Sequence, residues 1–87
     1  MSRHSALDDE LAFAELIELI QEVTRLAEPI GSDTPLISSG IIDSFDVVAL
    51  LAAFETHYGV EITPEEVDVT YFDTPRDILG RIRTRQS

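Results

Sequence analysis

The sequence predicts an all-α fold, a four-helix bundle of three main helices and one short helix with a long first loop. Three observations carry that prediction. Apolar residues recur at helical spacing over 8–27 and again over 44–58, and Pro and Gly fall where helices would stop. The one run that could pass for a strand, Val60–Ile62, has no partner run to pair with. The 87 residues suit a single domain, 1–87, with its core over about 8–84 and flexible ends at 1–7 and 85–87.

The first helix is read from Asp8 to Ala27, where Ala12, Phe13, Leu16, Ile17, Leu19, Ile20, Val23 and Leu26 share one broad arc. Glu10, Glu15, Glu18, Gln21, Glu22 and Arg25 fill the other arc, and only Leu11 and Thr24 fall on the wrong side. Asp8, Asp9 and Glu10 suit the positive end of the helix dipole, and Pro29 and Gly31 are the stop. Between Pro29 and Asp43 the chain is punctuated by Pro, Gly and Ser yet keeps Leu36, Ile37, Ile41 and Ile42, so this loop is expected to pack.

A second helix fits Ser44–Tyr58, with Val47, Leu50, Leu51, Phe54 and Tyr58 as its inner stripe and Gly59 as its stop. Its outer side carries Phe45, Ala49, Ala52, Ala53 and Thr56, flanked by Asp46 and Glu55. A large aromatic among small residues facing water reads as a docking surface, for which Phe45, Asp46, Ala49, Ala52 and Glu55 are the candidates. Thr63, Pro64 and Glu66 form a helix start with a capping box, but Asp68 and Thr70 keep that helix short before Tyr71 and Phe72 supply more core. Thr74, Pro75 and Asp77 begin the last helix, whose inner face is Ile78, Leu79 and Ile82 and whose end gathers Arg81, Arg83 and Arg85. The tripeptide Asp-Thr-Pro occurs at 33–35 and 73–75, with unlike surroundings, so the chain has no internal repeat.

Seventeen Asp and Glu against six Arg and no Lys give a formal charge of −11. Such a field repels nucleic acid and anionic lipid and suits basic protein partners, although a merely solubilising surface gives the same count. No cysteine is present, so any thiol chemistry has to come from a cofactor. Residues 1–10 lack the apolar run of a signal peptide and no stretch could span a membrane, which leads to a cytoplasmic protein as the expectation. A monomer is expected, with self-association through Phe45 left open. A chain this short has little room for an enclosed catalytic pocket, so carrying or binding is favoured over catalysis.

Chemistry is most legible in Gly40-Ile41-Ile42-Asp43-Ser44-Phe45, where a serine stands at the junction of a packed loop and a helix. The N–H groups of a first helical turn attract anions, so a phosphate ester on Ser44 would meet a favourable field, and Asp43 offers a carboxylate toward a divalent metal brought by a transferring enzyme. The plainer alternative is that Ser44 is an N-cap. His4 and His57 are the only histidines, and no Gly-x-Ser-x-Gly elbow exists, so a hydrolase triad is not supported. Asp33, Asp43 and Asp46 lack the spacing of a calcium loop, so no metal site is assigned.

The run from Asp33-Thr34-Pro35-Leu36-Ile37-Ser38-Ser39 through Gly40-Ile41-Ile42-Asp43-Ser44-Phe45, continued by Leu50, Leu51, Phe54, Tyr58 and Gly59-Val60-Glu61-Ile62, resembles the acyl carrier protein family. The resemblance covers about Leu16 to Ile82. It implies that Ser44, preceded by Gly40, Ile41, Ile42 and Asp43 in the family's pattern, receives a 4'-phosphopantetheine arm from coenzyme A. The arm would hold an acyl or aminoacyl group as a thioester, with no catalysis by the carrier. The implied partners are a phosphopantetheinyl transferase, an acyl- or aminoacyl-activating enzyme and downstream acyl-transfer enzymes. Phe45 stands where the family usually has Leu or Met, and Ala49, Ala52 and Thr56 replace residues that are often acidic or Met. These departures point away from fatty acid synthesis and toward a discrete carrier with a dedicated partner. The motif and loop are more similar to stand-alone carriers that serve D-alanyl or other aminoacyl activation, or specialised acyl transfer, than to peptidyl carrier domains. Val47, Leu51, Phe54 and Ile62 are the residues that would line an interior cargo pocket. The rival reading is an acidic helical interaction module that never bears a prosthetic group.

Overall fold

The computed structural model describes residues 6–86. Its elements are α1 (Ala6–Thr24), α2 (Ser44–Tyr58), a short 3-10 helix (Pro64–Glu66) and α3 (Pro75–Gln86), and the described residues contain no strand. The expected all-α architecture with a long first loop is what the chain adopts.

Helical periodicity places one core between these elements. Leu16 and Ile20 of α1, Val47, Leu50, Leu51 and Phe54 of α2, and Ile78, Leu79 and Ile82 of α3 converge and are buried. Each side chain so buried contributes roughly 1.5–3 kcal/mol, which is why an arc of such residues fixes the face a helix turns inward. Ala12, Phe13, Leu19 and Val23 pack on the margin of this core, while Leu11, on the opposite arc, stays exposed. Leu36 and Ile42 of the long loop are as buried as any helical residue, and Val60 and Ile62 close the core between α2 and the 3-10 helix.

The end of α1 differs from expectation. The helix stops at Thr24, short of Ala27, because Arg25 takes a left-handed conformation at φ 59° and the Leu26 N–H bonds the Gln21 carbonyl at 3.0 Å. That 6→1 closure satisfies an orphan carbonyl of the last turn before Pro29 or Gly31 can act, so Leu26 leaves the helical arc and is only half-buried. The start lies at Ala6, two residues before Asp8. By contrast α2 ends where expected, with Gly59 at φ 72°.

Thr63 and Glu66 meet as the sequence suggested: the Glu66 carboxylate accepts from both the N–H and the hydroxyl of Thr63 at 3.1 Å. Only one 3-10 turn follows. Thr74 starts α3, its hydroxyl accepting from the Asp77 N–H at 3.1 Å. Of the expected core pair Tyr71 and Phe72, only Phe72 is buried; Tyr71 stays exposed outside the core, where its ring packs under the Arg81 guanidinium, 5.3 Å away.

The arginines near the end of α3 have partners as well as a helix dipole to offset. Arg83 reaches Asp9 at 3.1 Å, and Arg85 donates to the Glu61 carbonyl and pairs with Glu66. Thus α3 continues through Gln86, across part of the stretch 85–87 expected to be flexible, whereas residues 1–5 and 87 lie outside the described residues. His4 is among the latter.

Candidate functional site at the start of α2

The loop from Arg25 to Asp43 is built to deliver a helix start. Gly40 stands at φ 83°, a conformation that L side chains rarely adopt, and its N–H closes a turn on the Ile37 carbonyl at 3.0 Å. That turn lets the Ile42 N–H reach back to the Leu36 carbonyl at 3.0 Å, so both apolar side chains drop into the core together. Asp43 then follows with extended backbone, and α2 begins.

Asp43, not Ser44, is the N-cap. Its carboxylate accepts the Asp46 N–H at 2.9 Å, the Asp46 carboxylate accepts the Asp43 N–H at 3.1 Å, and the Asp43 carbonyl takes the Val47 N–H at 3.0 Å. This reciprocal box corrects the plain reading of Ser44 as a cap, because the aspartate one position earlier already fills that role. Ser44 is therefore the first helical residue and is exposed, with its hydroxyl outside the cap. The box leaves the N–H groups of Ser44 and Phe45 unclaimed among the described residues, at the positive end of a 15-residue helix.

Beside Ser44 lies an open groove of about 460 Å³. Ile37, Val47, Val48, Pro64, Val67 and Val69 form its walls, and Asp43 and Ser44 stand at its polar rim. A smaller hollow of about 240 Å³ adjoins it across Val48 and Pro64, between Leu51, Ala52 and Glu55 of α2 and the stretch from Glu61 to Thr63. The four residues expected to line one interior pocket are thus divided: Val47 faces the first groove, Leu51 and Ile62 the second, and Phe54 is wholly enclosed in the core. The reason is packing, since the space behind Phe54 is filled by the apolar faces of all three helices.

The outer face of α2 is as apolar as its sequence suggested. Phe45 is 85% exposed, and Ala49, Ala52 and Glu55 are exposed with it. Asp46 is half-buried and engaged in the capping box, so it stands at the edge of this face and not on its open part. Sequence reasoning missed Val48, 56% exposed, although it lies four residues after Ser44 and hence on the serine's own face, which is the signal that could have found it.

It also missed Asp73. The Asp73 carboxylate accepts the N–H groups of Ile37 and Ser38 at 2.7 and 2.9 Å and the Ser38 hydroxyl, holding the loop that leads to Ser44. Partial burial acts to raise its pKa, but these hydrogen bonds outweigh that and hold it below 3.8. Nearer the loop's start, Arg76 makes a two-pronged pair with Asp33 at 2.8 and 3.1 Å.

Other chemistry is remote from this place. His57 pairs with Glu15 across α1 and α2, and thirteen residues of helix put it roughly 20 Å along α2 from Ser44. The Tyr58 hydroxyl is pushed up to about 12 by burial and by Glu15, so it stays neutral. Among the described residues no three His, Cys, Asp or Glu side chains gather to hold a metal, and no helix is long and apolar enough to cross a membrane.

An exposed hydroxyl on the first turn of a helix, beside an apolar groove and free of the cap, fits a phosphodiester-linked arm: the ester would sit by unclaimed N–H groups and the arm by an apolar wall. Residues 14–82 match the family model described as phosphopantetheine attachment site. The chain is 36% identical over 71 residues to the D-alanyl carrier protein of Bacillus licheniformis, covering 78% of this chain and 88% of that one. It is 29% identical over 69 residues to the D-alanyl carrier protein of Bacillus velezensis, with the same coverage of 78% and 88%. With the acyl carrier protein of Rickettsia canadensis it shares 32% identity over 74 residues, 84% of each chain.

Proposed function

Because the chain belongs to the phosphopantetheine attachment family, and is a carrier of acyl or aminoacyl cargo on a covalent 4'-phosphopantetheine arm, we propose that Ser44 is the residue that bears the arm. The observation that carries the proposal is the division of labour at the helix start, with Asp43 capping α2 and the neighbouring hydroxyl left exposed. In the loading step the Ser44 oxygen bonds to the phosphorus of the phosphopantetheine moiety. A phosphoanhydride bond of coenzyme A breaks, the nucleotide half leaves, and the hydroxyl proton passes to a base on the transferase.

The N–H groups of Ser44 and Phe45 favour the new ester, while the exposed side of the Asp43 carboxylate is open to a divalent cation that the transferase brings. Once attached, the arm supplies the thiol that this cysteine-free chain lacks, and that thiol holds the cargo as a thioester. The carrier itself catalyses nothing. Its contribution is to raise the cargo's local concentration at each enzyme it docks on, to about the millimolar range for a short tether.

Docking falls to Phe45, Ala49, Ala52 and Glu55, with Asp46 at the edge and Val48 added to the set. The relatives named D-alanyl carrier proteins support an aminoacyl cargo, which an activating enzyme would deliver. We place the carrier, as a monomer, in the cytoplasm, where coenzyme A is at hand. The test is to incubate the purified chain with coenzyme A, magnesium and a promiscuous phosphopantetheinyl transferase and weigh it intact. The reading expects one arm on the natural chain and none on Ser44→Ala; no gain on either would leave only the acidic interaction module.

A further inference from the structure

Ser44 is delivered by a loop that is fastened by a residue far along the chain. Asp73 lies 36 residues beyond Ile37, yet its carboxylate takes the Ile37 and Ser38 N–H groups and the Ser38 hydroxyl, and its carbonyl takes the Leu36 N–H at 2.8 Å. The Leu36 carbonyl in turn holds the Ile42 N–H at 3.0 Å, and Ile42 is followed directly by the capping Asp43 and by Ser44. A continuous series of hydrogen bonds and peptide units therefore joins Asp73 to the start of α2. Ile37, fixed by the same carboxylate, also forms a wall of the groove beside Ser44.

Resting on Ser44 as the attachment residue, we propose that Asp73 is a positioning residue for loading: it keeps the loop in the one conformation in which the transferase can engage Ser44. Asp73 touches neither the serine nor the arm. Its effect is on the fraction of molecules whose loop is competent, and a fall in that fraction raises the apparent KM without changing kcat. A purely stabilising role would move neither constant at a temperature where the chain is folded. The second aspartate fastened to α3, Asp33, provides the comparison, because its pair with Arg76 lies near the far end of the loop.

The experiment is steady-state loading of the full chain by a phosphopantetheinyl transferase, well below the unfolding temperature. Asp73→Ala should raise the KM for the carrier roughly tenfold with kcat unchanged, as expected when the competent fraction falls to about one tenth. Asp73→Asn keeps a carbonyl oxygen for the Ile37 and Ser38 N–H groups and should restore most of the loss, while Asp33→Ala should load as the natural chain does. If Asp73→Ala does not fold, Ser38→Ala removes one of the bonds, and a measurable rise in KM upholds the proposal. Equal KM values for Asp73→Ala or, in that case, Ser38→Ala and the natural chain overturn it, as does a loss in Asp33→Ala as large as that in Asp73→Ala.

A natural chain that takes no arm at all would instead refute Ser44 as attachment residue. The fastening is then read by amide exchange. Loss of protection at Ile37, Ser38 and Ile42 in Asp73→Ala upholds the hold on the loop, and retained protection refutes it.

Discussion

The two faces of α2 carry similar numbers of apolar side chains and use them in opposite ways. Inward, Val47, Leu50, Leu51 and Phe54 are buried against α1, α3 and the loop, and their removal from water holds the fold together. Outward, Phe45 and Val48 remain in water, 85% and 56% exposed, and contribute little to folding. Burying a Phe fully is worth about 1.5–3 kcal/mol, so the outer face retains free energy for binding that the inner face has already realised on folding. The same helix can therefore be altered on one side at the expense of stability and on the other at the expense of recognition. Ser44 begins the outer side.

The largest effect belongs to the inner face. Phe54→Ala should lower stability by about 3–5 kcal/mol in urea unfolding, since Phe54 is wholly enclosed and its neighbours cannot collapse without moving all three helices. A loss below about 1 kcal/mol would erase the distinction between the faces. At the helix start, Asp43→Ala should cost about 1 kcal/mol and Ser44→Ala less than about 0.5 kcal/mol by the same measurement. The reverse order would make Ser44 the cap and withdraw its hydroxyl from service. Phe45→Ala should leave stability within about 0.5 kcal/mol while raising the KM of the enzymes that dock on the carrier. Unchanged docking would remove the outer face from the account.

A pH series adds a sharper contrast, because Asp73 is held below its ordinary pKa by the loop. A depressed carboxylate pKa gives stability that is complete above the unfolded value of 3.8 and is lost as pH falls through the lower folded value. The natural chain should exceed Asp73→Asn in stability at neutral pH, and the difference should shrink as pH drops below about 4. A difference that stays constant down to pH 2 would show that the charge of Asp73 does not hold the loop.

The helices were legible because their signals are local. The stripes of α1, α2 and α3 repeat every three to four residues, and Gly59, Thr63 with Glu66, and Thr74 with Asp77 act within a single turn. Ser44 was legible through its neighbours Gly40 to Asp43, which the resemblance to acyl carrier proteins made meaningful. What escaped reading depends on distant partners. The two Asp-Thr-Pro tripeptides are identical in sequence, yet Asp33 faces solvent with Arg76 while Asp73 collects the N–H groups of the long loop, and Pro75 is buried where Pro35 is exposed. The flanks distinguish the copies only as far as Thr74 and Asp77 mark a helix start; the loop N–H groups that Asp73 collects lie 35 and 36 residues away, where no local pattern can announce them. The end of α1 escaped for another reason: a left-handed Arg25 is an uncommon closure, and Pro29 and Gly31 offered a commoner one.

The most direct test of Ser44 as the arm's anchor is to fragment the loaded protein and read which side chain carries the phosphopantetheine. The account predicts a single modified residue, Ser44, with Ser38 and Ser39 a few positions upstream untouched. An arm found on either of those serines, or spread among them, would contradict it.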